Sequence, residues 1–176
     1  MIKIRQSCFE TNSSSTHSMI ITNEYTSPGN SVYFDTGFYG WQQAIYSTTA
    51  EKASYFYTAA CDLLGRDVRD DICNLLKPYG IQCKFRNDLK FNSYECDGKT
   101  IQYLDWDIGY IDHSDGCDEF VNALMNDAEL LIRFLFNDDS FVVTGNDNID
   151  EDEEEWEWQR NAESVDYPHI EFYKGN

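Results

Sequence analysis

Residues 48–86 read TTAEKASYFYTAACDLLGRDVRDDICNLLKPYGIQCKFR and contain two helical periods followed by a strand period. Thr48 and Glu51 stand at capping-box spacing, where the threonine hydroxyl and the glutamate carboxylate each take the other's backbone amide at a helix start. Phe56, Ala59, Ala60, Leu63 and Leu64 then recur at helical intervals as far as Gly65. A second helix is predicted from near Asp67, with Val68, Ile72, Leu75 and Leu76 on one face. It should stop before Pro78, whose ring disfavours helical backbone in the preceding residue. Ile81, Cys83 and Phe85 alternate with Gln82, Lys84 and Arg86, the period of a half-buried strand. Helices and a half-buried strand in close succession place the chain in a mixed class.

Upstream, Ile2 to Phe9 is a predicted strand, Glu10 to His17 a polar loop, and Ser18 to Thr22 the returning strand of a hairpin. Pro28, Gly29 and Asn30 mark a turn before a third strand, Ser31 to Asp35. Downstream, Asp97-Gly98 between two strand-like runs predicts a tight hairpin turn. Leu104, Trp106, Ile108 and Tyr110 alternate with Tyr103, Asp105, Asp107 and Gly109, a strand pattern with one packing face and one face of carboxylates. Asp118 to Met125 and Asp127 to Phe136 read as two helices or one broken helix, and Ser140 to Thr144 and the residues around Ile170 and Phe172 as strands. The expected fold is a single α+β domain over residues 1–176, with a mainly antiparallel sheet and two to four helices.

The 176 residues carry 32 acidic and 13 basic side chains, a net charge of −19, yet 41% are hydrophobic and 15% aromatic. That apolar fraction supports a core and argues against a disordered acidic tail. The longest apolar runs fall far short of the ~20 residues of a membrane span. Residues 1–22 lack the apolar segment of a secretory leader. The six cysteines form no CxxC pair and read as reduced, mostly buried thiols of a cytoplasmic protein.

The charge is unevenly spread. Residues 1–96 hold 10 acidic and 9 basic side chains, a net of −1; residues 97–176 hold 22 and 4, a net of −18. Such asymmetry points to a partner rather than to solubility alone. Within the acidic half, residues 146–157 have the composition of a solvated, flexible segment. A nucleic-acid duplex presents one phosphate per ~3.4 Å of each strand to grooves lined with Lys and Arg. Alternate strand residues lie roughly 6.6 Å apart, so a strand carrying Asp105 and Asp107 offers a short row of phosphate-like spacing. With Asp112, Asp115, Asp118, Glu119 and the run Glu151, Asp152, Glu153, Glu154, Glu155, anchored by Trp156, these are the candidate partner-binding residues of a nucleic-acid mimic. The expected partner is a basic nucleic-acid-binding protein or nucleoprotein; direct nucleic-acid binding, membrane contact and a cofactor are not expected.

The most distinctive short string is Arg5-x-x-x-Phe9-Glu10-Thr11-Asn12-Ser13-Ser14-Ser15-Thr16-His17-Ser18. It resembles the start of a family of small uncharacterised proteins of bacteriophages and mobile elements, and residues 140–148, SFVVTGNDN, are similar to a second patch in them. The resemblance implies a setting, a phage- or element-borne protein acting in the cytoplasm of a bacterial host, and no particular reaction. Setting and charge together favour an inhibitor of a bacterial defence nuclease or effector, of anti-CRISPR or anti-restriction type, acting by acidic mimicry. The alternative is a nucleotide- or phosphate-binding phage enzyme. Arg5 would supply charge, Asn12, Ser13, Ser14, Ser15 and Thr16 would be hydrogen-bonding ligands, and His17 with Glu10 would do acid-base work.

Three further arrangements belong to the bland side. A Ser-rich run commonly satisfies its own turn. His113-Ser114-Asp115-Gly116-Cys117-Asp118 has metal-ligating residue types, but a second ligand pair at recognisable spacing is absent and no metal site is assigned. Residues 147–155 have the acids of a calcium loop without its glycine and spacing.

Overall fold

The computed structural model describes residues 15–40, 42–86, 88–112, 117–146 and 165–174. Helix α1 (Thr49–Leu64) starts as its sequence requires. The Thr48 hydroxyl takes the Glu51 amide, and the Glu51 carboxylate takes the Thr48 amide at 3.0 Å. It ends at Gly65, whose φ of 59° is the left-handed cap that glycine adopts without strain. The helix is not a surface helix with one apolar stripe, however. Tyr55, Phe56, Tyr57, Ala59, Ala60 and Cys61 are all fully buried, whereas Leu64 is 38% exposed. Elements surround it: it packs on strands β2 (Ser31–Phe34), β4 (Ala44–Tyr46), β7 (Lys99–Leu104) and β8 (Tyr110–Ile111), and on helices α3 (Asp118–Asn126) and α4 (Ala128–Phe136). Each large side chain so enclosed contributes about 1.5–3 kcal/mol of burial.

The main sheet is four-stranded and antiparallel, in the order β10 (His169–Lys174), β1 (Ser15–Thr22), β9 (Phe141–Asn146), β4. Two parallel pairs complete the shell, β2 with β5 (Gln82–Phe85) and β3 (Phe38–Tyr39) with β8. The remaining pair, β6 (Phe91–Cys96) and β7, is an antiparallel hairpin closed by Asp97 and Gly98, with φ of 52° and 73°. Positive φ at both positions is the primed turn that matches strand twist, as the Asp-Gly pair predicts. Helix α2 (Arg69–Leu76) stops before Pro78, and Asp127 caps α4 by accepting the Leu130 amide at 3.0 Å. The fold is therefore α+β, with four helices and a mostly antiparallel sheet among the described residues, around a core cluster running from Met19 to Val142.

Two expectations are corrected. The polar loop does not extend to His17: β1 already begins at Ser15, and Ser15, His17 and Met19 point alternately into the core. Nor does strand structure continue from Leu104 to Tyr110. The chain turns at Asp105, whose carbonyl takes the amides of Ile108 at 2.8 Å and Gly109 at 3.2 Å, while its carboxylate takes the Asp107 amide at 2.9 Å. An aspartate that satisfies the backbone two residues on is a turn former, and here that local bond prevails over the apolar alternation. The expected strand Ile2 to Phe9 lies outside the described residues.

Candidate functional site

Strand β1 carries the end of the Ser-rich string into the interior. His17 is fully buried, and its Nδ1 shares a 2.7 Å hydrogen bond with the hydroxyl of Tyr55, which α1 presents from behind the sheet. The same hydroxyl lies 3.5 Å from Met19 Sδ and 3.7 Å from Cys117 Sγ. Ser15 Oγ donates to the Asp112 carbonyl at 3.2 Å. The two short strings that stood apart in the sequence, around Ser15–His17 and around Asp112–Cys117, thus meet at one tyrosine. Gly40 closes the arrangement at φ 114°; a Cβ there would stand 2.6 Å from Asp112 Cβ and 3.0 Å from His17 Nε2. Only glycine combines that backbone with so close an approach.

Tyr39, Tyr46 and Phe120 pack their rings around Tyr55 at 5.2, 6.2 and 6.0 Å. Burial, and then the neighbouring Cys117, push the Tyr55 hydroxyl well above its ordinary range, so it stays a neutral phenol. A fully buried neutral phenol bonded to a fully buried imidazole is a clamp on strand position, joining β1, α1 and the start of α3. Tyr55 stands four residues before Ala59 and so flanks the apolar stripe of α1, but its partner His17 is distant in sequence, and no local spacing links Tyr55 to Tyr39 and Tyr46. Arg5, Glu10, Asn12, Ser13 and Ser14, the other members of the alternative site, lie outside the described residues, as do His113 and Asp115. Among the described residues no group of three or more His, Cys, Asp or Glu is placed to hold a metal ion.

The acidic candidates divide. Asp107 is exposed and Asp105 half-buried on the turn after β7, so the strand-spaced carboxylate row is not formed. Asp112 follows β8 and is tied into the clamp through its backbone. Asp118 and Glu119 are exposed in the first turn of α3, where negative charge also suits the helix dipole. Glu151, Asp152, Glu153, Glu154, Glu155 and Trp156 lie outside the described residues.

Where the basic residues go decides what those carboxylates face. Arg66 pairs with Asp71 at 2.6 Å, Arg69 with Asp67 at 2.5 Å, and Arg86 with Asp88 at 2.5 Å and Asp35 at 3.5 Å. Arg86 holds the Asp88 carboxyl below its ordinary value. Every one of these pairs joins residues of the near-neutral half. Among the described residues, Asp105, Asp107, Asp118, Glu119, Asp127, Glu129, Asp138 and Asp139 form no ion pair. Lys52, the one cation of α1, is buried and gives its ammonium to the carbonyls of Asn137 at 2.6 Å and Ser140 at 2.8 Å.

A cleft of about 330 Å³ is lined by Asn23, Tyr25, Thr26, Pro28, Tyr79, Glu129, Ile132 and Arg133, and none of the candidate partner-binding or ligand-binding residues borders it. No helix among the described residues is long and apolar enough to cross a membrane. No protein-family model, curated protein or solved structure matches the chain.

Proposed function

We propose that the protein is an inhibitor encoded by a phage or mobile element, whose acidic half occupies the nucleic-acid-binding groove of a bacterial defence nuclease or effector complex. The observation that carries this reading is the division of ion pairs. Arginines pair with Asp35, Asp67, Asp71 and Asp88, while Asp107 on the turn after β7 and the exposed acids at the starts of α3 and α4 form no ion pair among the described residues and keep their charge for an outside partner. Exposed like charges raise the energy of a free chain and favour a basic surface that displaces its own counterions. The fold supports partial neutralisation as the test. Asp105→Asn keeps the oxygen that caps the turn, and with Asp107→Asn, Asp118→Asn and Glu119→Gln it removes four charges with little loss of local bonding. Inhibition of the host's defence, scored by phage plating, is expected to fall while the melting curve is preserved; full inhibition by the neutralised protein overturns the reading.

A second reading is favoured by the meeting of the two strings at Tyr55. In it, the Ser-rich segment binds a nucleotide or phosphate, with His17 held from below by Tyr55. His17→Ala then removes ligand binding without touching the charge-driven contact. The full burial of His17 and Tyr55 weighs toward the clamp instead.

A further inference from the structure

Among the described strands, those of the hairpin β6–β7 are the most exposed. In β6 every residue after Phe91 is exposed, and in β7 the first four are, so both faces of the ribbon meet solvent. A two-stranded ribbon exposed on both faces is marginal by itself. Its base is nevertheless fixed: Leu104 is fully buried, the Asp105 amide bonds the Lys90 carbonyl at 2.9 Å, and the Gln102 carbonyl sits against Gly65 at the end of α1.

This ribbon carries a row of rings. Tyr94 and Tyr103 lie 5.9 Å apart, and Tyr103 and Trp106 6.0 Å apart, tilted by 57° and 50°. Tyr94 is 52% exposed, Trp106 69%, and Ile101, opposite Tyr94, 39%. Residues 91–107 hold Glu95, Asp97, Asp105 and Asp107 against Lys99 alone, four negative charges and one positive. Rings flanked by carboxylates reproduce the two features of a nucleic-acid strand that proteins grip, bases and phosphates. The ring separation of 5.9–6.0 Å exceeds the roughly 3.4 Å rise of a stacked duplex, and the rings are tilted. That excludes a base-pair stack and leaves separate, exposed rings in ordinary aromatic contact, available singly to the stacking positions of a single-strand groove.

We infer that the hairpin β6–β7 is the contact surface for a protein groove that binds single-stranded nucleic acid, with Tyr94, Tyr103 and Trp106 standing in for bases and Asp97, Asp105 and Asp107 for phosphates. This deepens the proposed function and rests on it. The occupant is set by charge complementarity: a groove with cations for the carboxylates and aromatic or guanidinium planes for the rings.

The test is displacement of a fluorescent oligothymidylate of about 15 nucleotides from an OB-fold single-strand-binding protein, followed by anisotropy. The protein is expected to displace the oligonucleotide. A Tyr94→Ser, Trp106→Ser variant should need at least about tenfold more protein, the loss expected for removing stacked rings. Both side chains are exposed, so its melting curve should match wild type. Failure of the wild-type protein to displace the oligonucleotide, or equal displacement by the ring variant, overturns the inference. If charge neutralisation at Asp105 and Asp107 weakens displacement and ring removal does not, the hairpin inference fails while acidic mimicry stands. If neither matters, the hairpin inference fails, and acidic mimicry fails with it only if the four-charge variant that adds Asp118→Asn and Glu119→Gln also displaces as well as wild type.

Discussion

Lys52 offers a quantitative check on the core. It is 1% exposed, and burial pushes its ammonium down from 10.5 to about 8, against the raising influence of Asp138 and Asp139. Between those two values the unfolded chain holds a proton that the folded chain has released, so folding stability rises with pH across the window from about 8 to 10.5. Evaluating the two titrations gives a gain of about 2 kcal/mol between pH 7 and pH 9.5, most of it above pH 8. Burial also raises the Cys61 thiol to about 12, and that group acts in the opposite direction above pH 9. Lys52→Met isolates the lysine, because every other titration is common to both proteins. Its stability at pH 7 also changes through the lost bonds to Asn137 and Ser140, so the diagnostic quantity is the difference in slope and not the offset. Urea unfolding of both proteins at pH 7, 8, 9 and 9.5 measures it. Wild type should gain about 2 kcal/mol on the variant over this range; parallel curves would refute a buried, desolvated ammonium.

Tyr55→Phe removes the hydroxyl that His17 Nδ1 bonds, leaving buried polarity behind, and should cost about 1–3 kcal/mol in urea unfolding with secondary structure retained by circular dichroism. A cost below about 0.5 kcal/mol would mean that the clamp does not hold the strand. Gly65→Ala meets both a left-handed φ and the Gln102 carbonyl at 2.2 Å from the new Cβ, so a loss of at least about 2 kcal/mol is expected, read as a fall in melting temperature. Cys96, exposed on the same strand as Tyr94, should react with a maleimide at the rate of a free surface thiol, and much more slowly in a complex made through the hairpin. Buried Cys61 should react only on unfolding.

Local chemistry explains how much of this was legible. The Thr48–Glu51 box, the stop at Gly65, the Asp97-Gly98 turn and the break between α3 and α4 at Asp127 depend on residues within a few positions of one another, and each forms as read. The Leu104–Tyr110 alternation failed although its period was good, because Asp105 bonds its own downstream amides and leaves Trp106 exposed. Ser15, Thr16 and His17 looked like a loop because their polarity suggested solvent. Their partners, Tyr55 and the Asp112 carbonyl, are 38 and 97 residues away, beyond the reach of periodicity. The candidate surface shows the same division. Its charge was countable from composition, but whether each carboxylate was already paired depended on where the arginines fold. The ring row of the hairpin required the register that sets Tyr94 against Ile101 and Asn92 against Tyr103.

The central claim is that the charge of residues 97–176 is held for a basic nucleic-acid groove. Its most direct measurement is capture of partners from the bacterial host on the immobilised protein, with elution first by added oligonucleotide at low salt and then by a salt gradient. The account predicts a nucleic-acid-binding protein that the oligonucleotide releases competitively, and whose retention falls steeply with salt. A partner that stays bound through both, or one equally retained by the Asp105→Asn, Asp107→Asn, Asp118→Asn, Glu119→Gln protein, would contradict it.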